Sequence, residues 1–356
     1  MRLGSPRSTD QILSIQYLRA IAALGVVAFH AAQRAGVDLR VGAAGVDVFF
    51  VISGVIIWVV TQARAPTPAA FLLNRVFRVA PAYVLLTLGV ASLAVLSPSL
   101  FPNMRVTFGH VLQSVLFIPH LDPDGQPWPV IAPGWTLTYE MFFYVVFACA
   151  LIVPLRARAW WCTILLGGFA AVGAAVPFGN VIGQAYTNSI MLEFVAGIWL
   201  GVAWTRGCLP GRSAGWAALA AGVAGFAAVP SLQALWPGMP EILFWGVPAA
   251  LLVGGVMAIE AHGGVPSWRA GLALGDASYS MYLVNGLVVS ATWRVVGSHF
   301  VPVFFVPAFV IASIAGTIAT GIVFSRTVER PATRLLRRIR WRAQPAHAVG
   351  RRELTH

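Results

Sequence analysis

Five ionisable side chains stand inside stretches that are otherwise apolar: Arg19, His30, Asp47, Glu140 and Glu193. An ionisable group in lipid costs ~2.5–3.5 kcal/mol or more unless it faces a polar interior, so each is a candidate for chemistry. Arg19 and His30 are eleven residues apart in one apolar run. Eleven steps of about 100° return to within roughly 20° of the starting direction, so on a helix the two share a face, about 16 Å apart along the axis. A permanently charged guanidinium suits a phosphate. An imidazole titrating near neutrality suits proton transfer. The plainer alternative is an arginine reaching for headgroups and a histidine satisfying a neighbouring helix.

The other groups fall at compatible depths. Asp47 opens the segment Gly45-Val-Asp-Val-Phe-Phe-Val-Ile-Ser-Gly54. It is expected near the depth of His30, where a carboxylate orients an imidazole, or else as a helix cap or partner of Arg40. Glu140 follows Trp135-Thr-Leu-Thr-Tyr139 and is expected to converge with His30 and Asp47 on one outward-opening polar cavity, with a structural pairing as the alternative. Glu193 is expected to serve mainly in structural pairing. Arg75 and Arg78, at i and i+3 before a third helix that starts near Val79, share a face that could clamp phosphates, although topology alone explains basic residues there. Ser278, Tyr282 and Asn285, spaced by four and three, line one helical face, either of a cavity or of a helix contact.

The elements that position these groups follow from composition. The chain has 356 residues, 58% hydrophobic and 10% charged, with a mean hydropathy of +0.78. Soluble domains use about 25% charged residues, so a soluble protein is excluded. Apolar stretches of spanning length fall near 12–33, 43–62, 79–98, 133–153, 159–176, 188–205, 214–230, 241–260, 272–296 and 301–325, giving an all-α bundle of about ten transmembrane helices. All 24 basic residues are arginine. With a cytoplasmic N-terminus, nineteen fall on the inner side and four on the outer, so both termini are expected in the cytoplasm. Their scatter through loops argues against a nucleic-acid face. The first helix lacks the pattern of a cleaved signal peptide. A proline-rich outer segment, about 99–132, holds an apolar piece, 111–118, too short to span. Residues 1–330 read as one transmembrane domain, and 331–356 as a basic cytoplasmic tail contacting lipid headgroups. Cys149, Cys162 and Cys208 form neither a disulfide framework nor a zinc pattern, and no metal is expected.

Taken together, these segments resemble the acyltransferase-3 family of integral-membrane acyltransferases, and most closely its branch linked to exopolysaccharide O-acetylation. The resemblance runs from Ile15 to about Pro331. It rests on Arg19 and His30, Gly45 to Gly54, Arg75-x-x-Arg78-x-x-Pro81, Trp135 to Glu140, Gly275 to Leu283, and Glu329-Arg330-Pro331. Six segments in this order are specific. The resemblance implies transfer of an acetyl or other short acyl group from cytoplasmic acyl-CoA to a hydroxyl of a surface polysaccharide or its lipid-linked precursor, in the bacterial inner membrane. It implies that Arg19 and His30 are essential and that His30 is catalytic, and the chemistry of the residues makes His30 the expected base, with Asp47 orienting it and Glu140 in the same cavity. Arg19, Arg75 and Arg78 would hold coenzyme A, whose phosphate-to-thiol reach is comparable to the Arg19–His30 spacing. Tyr139, Tyr282 and Asn285 would contact substrate. Many members carry a histidine where this chain has Asn285, so no second catalytic histidine is expected there. A secondary transporter and a non-catalytic component of polysaccharide export are the competing expectations. The transporter would favour paired homologous halves, and no internal repeat is evident.

Overall fold

Apolar runs punctuated by proline, glycine and arginine fold into helices throughout. The computed structural model describes residues 12–296 and 302–343, and these contain no strand. Helix α1 (Leu13–Arg34) is followed by a 3₁₀ turn (Arg40–Ala44) that leads into α2 (Gly45–Arg64). Then come α3 (Pro68–Leu96), the short α4 (Phe108–Val115), α5 (Gly134–Ala150), α6 (Leu155–Ala175), the short α7 (Val181–Tyr186) and α8 (Met191–Arg206). The second half holds α9 (Arg212–Leu235), the single turn α10 (Glu241–Phe244), α11 (Gly246–Gly263), α12 (Arg269–Val296) and α13 (Pro302–Phe324). A π-helical turn, Ser325–Glu329, joins α13 to α14 (Arg330–Ala343).

Eight segments among the described residues are helices long and apolar enough to cross a membrane. Seven contain α1, α2, α3, α6, α8, α9 and α11, and the eighth, Phe305–Leu336, runs from within α13 through the π turn into α14. Helices stand at the other two expected spans, but differently. The 17 residues of α5 rise about 26 Å at 1.5 Å per residue, short of the ~30 Å hydrocarbon core. Helix α12 is long enough at 28 residues but carries Arg269, Asp276 and Arg294. The short apolar piece expected at 111–118 overlaps α4, which ends at Val115. Residues 344–356 of the expected tail lie outside the described residues, and α14 supplies its beginning.

The third helix begins eleven residues earlier than its expected start near Val79. Thr67 caps it, its side chain accepting from the Ala70 amide at 3.3 Å, with Pro68 in the first turn. Pro81 lies inside α3 rather than before it. Arg75 and Arg78 are therefore helix-interior residues.

Small residues set how closely the helices approach. Where α2 crosses α8, a Cβ on Gly54 would collide with the Phe194 carbonyl oxygen and stand 2.8 Å from the Ile198 amide. Gly197 faces Val51 in the same way. This crossing helps bind Phe50, Trp58, Phe143, Phe194 and Ile198 into one core, while Val27, Ala31, Val289 and Phe309 join α1 to α12 and α13. Gly54→Val is expected to destabilise by the ~1–3 kcal/mol of overpacking. Thermal melting in detergent checks this, and a melting temperature equal to that of the parent protein would contradict it.

Candidate active site

Arg19 lies in the interior of the bundle, only 8% exposed. Its Nη1 donates to Gln16 Oε1 at 3.3 Å, one turn back on α1. Four other charged groups act on it electrostatically: Arg78 of α3, Asp276 of α12, Glu329 of the π turn and Glu140 of α5. The three carboxylates each have donors of their own. Glu329 Oε2 accepts from Ser280 Oγ at 2.6 Å and from Ser325 Oγ at 3.1 Å. Asp276 pairs with Arg330 at 3.8 Å. Glu140 Oε1 accepts from Ser53 Oγ at 3.1 Å and, in a very short bond, from Tyr144 Oη. A guanidinium has five N–H donors. Arg19 is thus held by a field of acids that are already hydrogen-bonded, leaving most of its donors for another anion.

The backbone explains this gathering. A Cβ at Gly275 would collide with the Gln16 carbonyl, so glycine there lets α12 close on α1 beside Arg19. Tyr279 Oη donates to the Val79 carbonyl at 2.8 Å and ties α12 to α3. The π turn inserts an extra residue per turn, a distortion common at functional sites, and Glu329 ends that turn, 7% exposed. Arg75 lies over the rings of Phe71 and Tyr144, 5.6 and 6.0 Å from their centres. Arg78 also acts electrostatically on Tyr144, so both arginines of the expected clamp lie toward the tyrosine that donates to Glu140.

Two expected pairings are corrected. Asp47 is hydrogen-bonded to Glu193 of α8, not to His30. Glu140 belongs with Arg19, Ser53 and Tyr144, not with His30 and Asp47. The physical reason is azimuthal: the face of α2 that carries Asp47 turns toward Glu193 of α8, while Ser53 turns toward Glu140 of α5. Gly246 leaves room for the carboxylate pair, since a Cβ there would stand 3.1 Å from Glu193 Oε1. His30 is half-buried on α1, bonded to Gln33 and tilted against Phe29 with ring centres 5.0 Å apart.

A hydrogen bond between two carboxyl groups requires a proton on one of them. Asp47→Asn supplies an amide donor in its place and is expected to keep both melting temperature and activity near the parent values. Asp47→Ala strands Glu193, 1% exposed, at a cost of ~1–3 kcal/mol. Equal melting of the two variants would contradict this pairing.

Of the expected substrate contacts, Tyr282 is committed to a helix contact. Its Oη lies 2.9 Å from Thr136 Oγ1, joining α12 to α5. Asn285 is 1% exposed, its Nδ2 donating to the Tyr282 carbonyl while its Oδ1 has no partner. Tyr139, stacked edge-on against Trp135 at 5.8 Å, lines a cavity of about 230 Å³ together with Ser114, His120, Trp128 and Thr138. Sequence reasoning overlooked Ser53, Tyr144, Ser280 and His120. The first three are polar residues at helical spacing in apolar runs, a visible signal, whereas His120 sits in an irregular loop that carries no periodicity.

A family model described as an acyltransferase domain matches residues 12–325. The chain belongs to the acyltransferase-3 family. It is 40% identical over 331 residues to the exopolysaccharide production protein ExoZ of Rhizobium meliloti, covering 91% of this chain and 98% of that protein. It is 28% identical to the acyltransferase MdmB of Streptomyces mycarofaciens, covering 94% and 95%. No solved structure matches. The chain is thus a multi-pass membrane acyltransferase, which sets aside the transporter and the non-catalytic component. The family resemblance also gains a spatial meaning. Segments far apart in sequence, carrying Arg19, Arg78, Glu140, Asp276 and Glu329, meet around one guanidinium in this acyltransferase.

Proposed function

We propose that the protein is an O-acyltransferase of the bacterial inner membrane, moving an acetyl or other short acyl group from cytoplasmic acyl-CoA to a hydroxyl of an exported polysaccharide or its lipid-linked precursor. The eight long apolar helices, joined by α5 and α12 within the bundle, make about ten crossings, and the arginine distribution supports a cytoplasmic location for both termini. The observation that carries the proposal is the placement of Arg19: a buried cation with uncommitted donors, near Arg78, on the same helix that carries His30. The similarity to an exopolysaccharide production protein supports the class of acceptor.

The two guanidiniums bind phosphate oxygens of coenzyme A, a role for which the planar fork suits arginine, and Arg75 adds charge at the approach. The acyl thioester then extends along α1 toward His30, about 16 Å away along the axis. His30 takes the proton of the sugar hydroxyl as its oxygen bonds to the thioester carbonyl carbon. Collapse of the tetrahedral adduct breaks the carbon–sulfur bond, and the coenzyme A thiolate leaves with the proton returned by the imidazole. Gln33, rather than Asp47, orients the ring. Holding donor and acceptor together supplies the proximity that solution lacks.

Mass spectrometry of surface glycans with and without the gene tests this. Loss of an acyl ester from a sugar residue is the expected result, and an unchanged glycan mass would contradict it.

A further inference from the structure

The acceptor end of this reaction needs a place for a sugar ring, and one cavity has the chemistry for it. About 230 Å³ in volume, it lies where α4, the loop 116–133, the first turns of α5 and α7 meet. Sites for drug-sized ligands run to roughly 300–1,000 Å³, so this one suits a single ring with its substituents. Trp128, Trp135 and Tyr139 supply its aromatic lining. Trp128 is 46% exposed, which places its indole at the mouth. Such rings combine a flat apolar face with a polar tip. A pyranose has the complementary shape, C–H groups on its faces and hydroxyls at its rim.

His120 supplies the polar group, and its neighbours fix its tautomer. Nδ1 lies 2.7 Å from the Ile118 carbonyl, which only accepts, so Nδ1 carries the proton. Ser114 Oγ donates its one proton to the His110 carbonyl at 2.8 Å and accepts from the Val130 amide at 3.1 Å. Toward His120 Nε2, 3.5 Å away, it therefore presents a lone pair and no proton. The neutral imidazole is left with an acceptor lacking a donor, on a side chain only 8% exposed. Burial pushes its pKa below the ordinary value and the neighbouring His110 pushes it further, against the Ile118 bond and Asp122, which keeps the ring neutral at pH 7. A hydroxyl is the donor that Nε2 is missing.

We propose that this cavity is the acceptor subsite, holding one pyranose ring against Trp128 and Trp135 with a hydroxyl donating to His120 Nε2. The assignment rests on the saccharide acceptor proposed above, and it adds the part of the chain that selects the sugar.

The test uses full-length protein in nanodiscs, radiolabelled acetyl-CoA, and oligosaccharides from the host's own exopolysaccharide after removal of esters with mild base. His120→Asn keeps a donor in reach of Ile118 but has no atom at the Nε2 position, whereas His120→Gln places a polar atom near it. His120→Asn and Trp128→Ala are expected to raise the KM for oligosaccharide about tenfold, with the KM for acetyl-CoA at its parent value, and His120→Gln is expected to recover most of the loss. An unchanged oligosaccharide KM in both variants, or equal rises for both substrates, would overturn the subsite while leaving the enzyme's function standing. A parent protein that hydrolyses acetyl-CoA yet labels no oligosaccharide would overturn the saccharide acceptor and the subsite with it. Absence of turnover with acetyl-CoA and equally with propionyl- and succinyl-CoA would overturn the proposed function itself.

Discussion

His30→Ala is expected to lower acyl transfer by ~10²–10⁴-fold, the usual contribution of a positioned general base, while leaving abundance in the membrane and melting temperature unchanged. The side chain is half-buried near the end of α1, and its partner Gln33 is exposed, so little packing depends on it. His30→Gln separates chemistry from structure: it keeps a polar group of similar reach but cannot cycle a proton, and it is expected to be as inactive as alanine. Gln33→Ala, which frees the ring without removing it, is expected to lose only part of the rate. Steady-state transfer of label from acetyl-CoA to saccharide measures all three. Parent-level transfer by His30→Gln would remove the imidazole from the mechanism.

Arg19→Lys is expected to raise the KM for acyl-CoA about ten- to hundredfold, since a charge-assisted hydrogen bond contributes ~1.5–3 kcal/mol and lysine lacks the planar fork. Lysine is the informative substitution because the surroundings are acidic. Asp276, Glu329 and Glu140 all bear on this position, and alanine would remove the buried cation they share, leaving Arg78 and, beside Asp276, Arg330. A fall in abundance is therefore expected for Arg19→Ala, and a selective loss of donor affinity for Arg19→Lys. Titration of acyl-CoA at saturating acceptor checks this, and an unaltered KM with reduced turnover would contradict donor binding by Arg19.

Hydropathy and arginine placement made the helices legible because a membrane demands long apolar runs whatever their partners. The start of α3 was obscured by Pro81, which reads as a boundary but is carried inside the helix. The decisive signal was Thr67-Pro68, a cap followed by proline in the first turn. Within the site, the segments were legible and their pairings were not. Sequence spacing sets where Asp47 and Glu140 stand along their helices, near the starts of α2 and α5. Which neighbour each faces depends on helix rotation and on close crossings such as Gly54 against Phe194, and no local pattern encodes that. The Asp47–Glu193 pair and the Ser53–Glu140 bond are consequences of rotation, whereas Tyr144, four residues after Glu140 on α5, follows from helical spacing alone. His120 was hidden for a different reason. Its neighbour Ser114 stands on α4 and is bonded in turn to Val130 of the loop folded against that helix, a tertiary arrangement without period.

The central claim is that one side of α1 serves a single reaction, with Arg19 receiving a donor from inside and His30 delivering its acyl group outside. Proteoliposomes with the cytoplasmic face outward, saccharide sealed in the lumen and labelled acetyl-CoA added only to the medium, test it directly. The account predicts covalent label on the luminal saccharide with the parent protein, and none above background with His30→Ala. Label that reaches saccharide only when both substrates are on the same side, or that reaches the lumen equally with His30→Ala, would contradict it.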